Sequence, residues 1–282
     1  MTFNRLKGKI KGIPFVKKGM PFFIRIEKEV IMSGENGVAV VILAAGMGTR
    51  MKSEKAKVLH EIAGKSMLSY VLDTALGVTS CENIIVVIGC QAEAVRAEAM
   101  KKADVVFAHQ HQQMGTGHAV LCALDFIPHQ VEDVVILCGD VPFISQQTIK
   151  GLIGKRRKEG LSVSLLTVKL QSPTGYGRII FNHNDKVGRI VEESDASDAE
   201  KAIKIVNAGT YCVEKTFLAW ALTQIKSDNM QKELYLTDIV GIAGKTAQPA
   251  GALIIEDTLE VMGVNSVQDL ERAERSLQQK LA

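Results

Sequence analysis

From residue 38 onward, short apolar runs alternate with stretches whose apolar residues recur every three or four positions. The runs are Val38–Ala44, Asn83–Gly89, Asp104–Ala108, Asp133–Cys138, Ser162–Val168 and Lys204–Val213. They are nearly continuous in Val, Ile and Leu, as strands covered on both faces must be. Between them Ser66–Leu76, Ala92–Lys101, Gly117–Phe126 and Ser145–Arg157 carry the helical period. This alternation predicts an α/β fold with a doubly wound, mostly parallel sheet and ligands at the carboxyl ends of its strands. Gln171–Asp198 is richer in Gly, Asn and Asp and reads as short strands and loops over the sheet. Ser266–Ala282 predicts a closing helix with Val267, Leu270, Ala273 and Leu277 on one face, opened by the capping-box spacing of Ser266 and Asp269. No hexapeptide repeat occurs, so no left-handed β-helix is expected.

Composition narrows the function classes. The chain has 282 residues and 46% apolar content, enough for a large core in one or two domains. No run approaches the roughly 18 apolar residues of a membrane span. Residues 1–36 hold eight Lys and Arg against three Glu, while the whole chain carries only +3. The basicity therefore belongs to the tail, and the body has no nucleic-acid footprint. Pro14, Pro21 and scattered lysines break any period there, so 1–36 reads as a basic, disordered extension or as sequence upstream of the start the cell uses. It lacks the apolar h-region and cleavage site of a secretory signal. The five cysteines are odd in number and form no C-x-x-C pair, which fits a reducing cytoplasm and argues against zinc.

The strongest chemical signal is Leu43-Ala44-Ala45-Gly46-Met-Gly48-Thr-Arg50, with Lys57 and His60 further on. It starts where the first strand ends. Gly46 and Gly48 offer unhindered backbone N–H groups to a phosphate, and Arg50 and Lys57 add cations. Met51 stands where a dinucleotide fingerprint needs its third glycine, and no Walker loop can be threaded through the segment. A dehydrogenase and a P-loop kinase are therefore disfavoured. Asp140 follows an apolar run and precedes Val-Pro, so its carboxylate is expected at the carboxyl edge of the sheet. His60, His109, His111 and His118 have no evident acidic partner and read as structural.

These residues resemble the signature of the sugar-nucleotide pyrophosphorylases, and specifically the uridyltransferase domain of bacterial bifunctional N-acetylglucosamine-1-phosphate uridyltransferases. Further segments agree in order and spacing: Gln110-His-Gln-Gln113-Met-Gly115-Thr116-Gly-His-Ala, Cys138-Gly139-Asp140-Val-Pro, Gly175-Tyr-Gly177-Arg and Gly263-Val-Asn265. Ile190-Val-Glu192, Val206-Asn207-Ala-Gly209 and Tyr235-Leu-Thr237-Asp238 fall between the last two. The resemblance covers about residues 38–282. It implies a Rossmann-like nucleotidyltransferase domain over 37–265 followed by the helix 266–282. Leu43, Ala44, Ala45, Gly46, Gly48, Gln113, Cys138 and Gly139 are then nucleotide-binding. Gln110 would read the uracil edge, with Gly115 and Thr116 beside it. Asp140 and Asn265 would hold Mg²⁺, and Gly177, Glu192, Asn207, Tyr235 and Thr237 would hold the sugar. Arg50 and Lys57 would be catalytic.

The implied reaction is attack of a sugar 1-phosphate on the α-phosphorus of UTP, releasing pyrophosphate. A phosphate monoester is largely ionised at neutral pH, so no general base is needed. Two departures stand out: Ala56 replaces the family's proline before the lysine, which loosens the loop, and Cys138 replaces a tyrosine near the nucleotide. Without hexapeptide repeats the expectation is a cytoplasmic uridyltransferase lacking acetyltransferase activity, a monomer or small homo-oligomer, with small molecules as its partners. Thymidylyl-, cytidylyl- and molybdenum-cofactor guanylyltransferases share the signature, and a non-catalytic nucleotide-sugar sensor is the alternative of another class. Retention of Arg50, Lys57, Asp140 and Asn265 together speaks against a sensor.

Overall fold

The computed structural model describes residues 37–182, 186–246 and 249–281; the extension expected over 1–36 lies outside them. The strands are β1 (Val38–Leu43), β2 (Glu61–Ile62), β3 (Lys65–Ser66), β4 (Ile84–Ile88), β5 (Val106–His109), β6 (Asp133–Cys138), β7 (Val163–Lys169), β8 (Arg178–Phe181), β9 (Val187–Val191), β10 (Ile205–Glu214) and β11 (Ala250–Ile255). The helices are α1 (Met67–Leu76), α2 (Ala92–Met100), α3 (Thr116–Ala123), α4 (Gln146–Glu159), α5 (Asp198–Lys201), α6 (Lys215–Leu222), α7 (Asp238–Ala243) and α8 (Val267–Leu281).

Nine strands form one sheet in the order β5-β4-β1-β6-β10-β7-β11-β9-β8. The half built from β5, β4, β1 and β6 is parallel throughout. Each of its strands is wholly apolar or nearly so, because helices cover both faces. Leu68, Val71 and Leu72 of α1, Val95 of α2 and Ile149 and Ile153 of α4 pack on one face. Val120 of α3, Leu218 of α6 and Ile239 of α7 pack on the other. The second half departs from the sequence reading. β10 runs antiparallel to both β6 and β7, β8 and β9 pair antiparallel, and only β11 runs parallel to β7. The sheet is mixed rather than mostly parallel. β10 enters the sheet between β6 and β7, which run the same way, and pairs antiparallel with both. Gln171–Asp198 does not lie over the sheet either: its strands β8 and β9 extend the sheet's edge.

Two features of this topology position the site. The chain moves from β1 outward to β4 and β5, then returns to place β6 on the other side of β1, so β1 and β6 flank a topological switch point. Leu43 and Cys138, the last residues of these strands, are in register. Because β10 is antiparallel, its middle, at Gly209, and not its last residues, lies beside the end of β6. At the C-terminus, Ser266 Oγ accepts from Asp269 N while Asp269 Oδ2 accepts from Ser266 N, the reciprocal pair anticipated for α8. Leu270, Ala273 and Leu277 pack against Ile62, Met67 and Val264, whereas Val267 is exposed.

Candidate active site

The loop after β1 must pass close to the element carrying Lys57. Gly48 makes this possible: its φ is +67°, and a Cβ there would come within 2.5 Å of the Lys57 Cβ. A side chain at this position would be strained twice over. Gly46 differs, since an added Cβ would meet no protein atom. Its openness serves the cavity, not the fold. Lys57 opens a single 3₁₀ turn (Lys57–Leu59) whose Val58 and Leu59 are buried. Ala56, where proline is usual in the family, has φ −53°, within proline's range, and its N–H donates to Gln91 Oε1 at 2.9 Å. Proline could not make that bond. A side-chain hydrogen bond here ties down the loop that the sequence reading expected to be looser.

A cavity of about 280 Å³ opens at the switch point. Leu43, Ala45, Gly46, Gly48 and Lys57 line it from the β1 side, Gln110, Gln113, Gly115 and Thr116 from the segment after β5, and Cys138 and Asp140 from the end of β6. The two loops are tied together, with Gln113 Nε2 donating to the Ala45 carbonyl at 2.7 Å. Gly115 has φ +106°, and a Cβ on it would run into the Leu234 backbone at 2.6 Å. The segment Leu234–Leu236 bonds to this loop repeatedly: Gly117 N donates to Leu234 O, Leu234 N to Met114 O, and Leu236 N to Thr116 Oγ1. Ala44 and Gly139, expected to bind nucleotide, do not line this cavity. They are buried against each other behind its wall, with their amides spent on Val87 and Leu43.

A second cavity of about 350 Å³ shares Asp140 with the first and is lined by Arg50, Tyr176, Gly177, Glu192, Asn207 and Asn265. The Asn207 side chain is held on both sides, donating to Tyr211 Oη at 2.6 Å and accepting from Gly209 N at 3.1 Å. Glu192 accepts from Thr237 Oγ1 at 3.0 Å. Thr237 and Tyr235, both expected at the sugar, are buried and do not line this cavity. They stand behind it, Thr237 on Glu192 and Tyr235 near Ser194. Burial, reinforced by Asp195 and Asp238 and opposed by Thr237, pushes the Glu192 carboxyl above its ordinary range. Burial, with Asp140 nearby, pushes the Cys138 thiol up to about 12. Cys138 is thus a neutral donor to the Gly209 carbonyl, not a nucleophile.

Where the cavities meet, four residues converge. Lys57 Nζ pairs with the Asp140 carboxylate and donates to Asn265 Oδ1 at 2.8 Å. Arg50 Nη2 reaches the same Asn265 oxygen at 3.3 Å. Val264 N donates to Asp140 O at 2.9 Å, which brings Asn265 to the end of β6. One carboxylate and one amide oxygen thus meet on a single cation, here an ammonium. That donor chemistry fits a hard ion such as Mg²⁺, whose remaining positions go to water and substrate oxygens. Among the described residues there is no cluster of three or more His, Cys, Asp or Glu that could hold a metal without such help. The histidines divide. His109 and His111 stack with ring centroids 3.9 Å apart, while His118 reaches into the first cavity's wall and contacts Gln110. The sequence reading grouped His118 with the structural histidines; its partner Gln110 lies eight residues away, in the loop after β5.

Residues 40–194 match the model of the MobA-like NTP transferase domain. The chain belongs to this family. It is therefore a nucleotidyltransferase of mixed α/β fold. It is similar to the bifunctional protein GlmU of Desulfotalea psychrophila, 46% identical over 88% of this chain and 73% of that relative. The GlmU proteins of Geotalea uraniireducens and Trichlorobacter lovleyi are 43% and 44% identical over 87% and 86% of the chain. The chain spans only about half of those two, 54% and 53%. Among the described residues no helix is long and apolar enough to cross a membrane.

Proposed function

We propose that this nucleotidyltransferase is a uridylyltransferase that makes UDP-N-acetylglucosamine and pyrophosphate from UTP and N-acetylglucosamine 1-phosphate. The observation that carries the reading is the meeting of Arg50, Lys57, Asp140 and Asn265 where the two cavities join. The first cavity takes the nucleotide, with Gln110 at the base and the Gly46–Gly48 loop along the phosphates. The second takes the sugar, with Gly177, Glu192 and Asn207 facing its hydroxyls and acetamido group. Likeness to the GlmU relatives supports this choice of nucleotide and sugar.

The incoming phosphate is its own ionised nucleophile, with a second pKa near ~6. The protein's task is to bring anions together and to meet charge as it moves. Lys57 lies at the junction, where it holds the incoming phosphate against the α-phosphate. Arg50, more exposed, neutralises the departing pyrophosphate. Asp140 and Asn265 would hold Mg²⁺, which supplies charge neutralisation and a template for the phosphate oxygens when bound. Cys138 stays a thiol and closes the floor.

Pyrophosphate release tests the reading, with UTP, CTP, GTP and dTTP each crossed with N-acetylglucosamine, glucosamine and glucose 1-phosphates. Preference for UTP with the acetylated sugar is expected. A clear preference for GTP, or no release with any pair, overturns it.

A further inference from the structure

Gln110 is 5% exposed, yet it lines the nucleotide cavity. Its Nε2 lies 3.0 Å from the Gly115 carbonyl and 3.1 Å from His118 Nδ1. A carbonyl only accepts, so the amide atom facing Gly115 has to be the nitrogen. One of its hydrogens goes to Gly115. The other points at His118 Nδ1, which must then carry a lone pair. The neutral imidazole keeps its proton on Nε2, which lies 3.8 Å from Cys122 Sγ. Burial pushes the Cys122 thiol up, so the sulfur stays a neutral thiol able to accept that proton weakly. Both amide hydrogens are now spent inside the wall. The atom left over for a base in the cavity is Oε1, a pure acceptor.

We propose that His118 is a positioning residue that fixes which way round the Gln110 amide stands, and thereby selects a base with an N–H donor on its pairing edge. This rests on the reading of Gln110 as the base-contacting side chain. Uracil and thymine carry a hydrogen on N3, whereas cytosine presents a lone pair there. An outward oxygen accepts from the first two and repels the third. A flipped amide would turn its NH₂ outward and favour cytosine. Gly115 alone penalises that flip with one contact, while Gly115 and His118 together penalise it with two. Removing the His118 acceptor is expected to weaken the choice by the worth of about one hydrogen bond, or roughly tenfold.

The test uses the full chain and kcat/KM for UTP, CTP and dTTP with N-acetylglucosamine 1-phosphate. His118→Leu is expected to lower the UTP:CTP ratio about tenfold, mainly through KM, and to leave UTP:dTTP unchanged. A purely structural role would lower all three together. His118→Asn can place Oδ1 where Nδ1 stood and is expected to restore the ratio. His118→Gln carries its amide one bond too far and is expected to resemble Leu, which keeps the comparison available should Leu not fold. Equal losses for UTP and CTP, or identical behaviour of Asn and Gln, overturn the proposal. Gln110→Ala separates the two levels. If it leaves UTP:CTP unchanged, the base-contact reading fails and takes this inference with it. If it collapses the ratio while the His118 variants do not, the positioning role alone fails.

Discussion

The Lys57 ammonium donates to the Asn265 amide oxygen at 2.8 Å, across 208 positions of chain. The 3₁₀ turn after the glycine loop brings one partner, and the backbone bond from Val264 to Asp140 brings the other. Asp140 completes the group from the end of β6. Three segments distant in sequence therefore share one cation position.

If these residues act as one unit, their losses will not add. Lys57→Ala and Asn265→Ala are each expected to lower kcat/KM by about 10²-fold or more, and the double variant by much less than the product. Steady-state kinetics on the four proteins of the cycle decide this. Strict additivity would mean that the contact has no part in turnover.

Arg50 is exposed and holds only a 3.3 Å contact to Asn265, so little of its charge is used in the resting protein. We expect Arg50→Ala to lower kcat about 10²-fold with a far smaller change in the KM for UTP. A raised KM at unchanged kcat would instead make Arg50 a ground-state nucleotide ligand.

Gly48 and Gly46 are two residues apart and are expected to respond in opposite ways. Gly48→Ala forces a left-handed backbone onto alanine and drives a methyl into Lys57, costing about 1–2 kcal/mol of stability together with most activity. Gly46→Ala meets nothing in the protein, so its melting temperature should stay that of the parent while nucleotide affinity falls. Thermal melts paired with kinetics check both, and an equal loss of stability in the two variants would contradict the geometry.

Burial raises the Glu192 carboxyl, so the native state holds a proton where the unfolded chain has lost its own. The contribution of this group to stability therefore declines as pH rises from the ordinary carboxylate range through the raised native value. Glu192→Gln keeps an acceptor for Thr237 and removes the charge. The variant is expected to gain stability over the parent progressively as pH is raised through and above the ordinary carboxylate range. A difference that stays constant across that range would show that no proton is linked to folding here.

The sequence by itself determined the alternation of buried strands and helices, the glycine loop at the end of β1, and the capped C-terminal helix. These follow from local causes: period, apolar runs, and a Ser–Asp pair three apart. It also carried the site as an ordered set of motifs, because the residues that line each cavity lie in short segments. Tertiary structure alone decided the direction of β10, the joining of β8 and β9 to the sheet, and the packing of Ala250–Ile255 as β11 beside β7. It also decided that Ala44, Gly139, Tyr235 and Thr237 stand behind the cavity walls, and that His118 meets Gln110. Strand direction depends on contacts between segments far apart in the chain, and side-chain partnership on how even neighbouring segments are turned toward each other. Such contacts leave no period behind them, since each is one residue meeting another only after the sheet has closed.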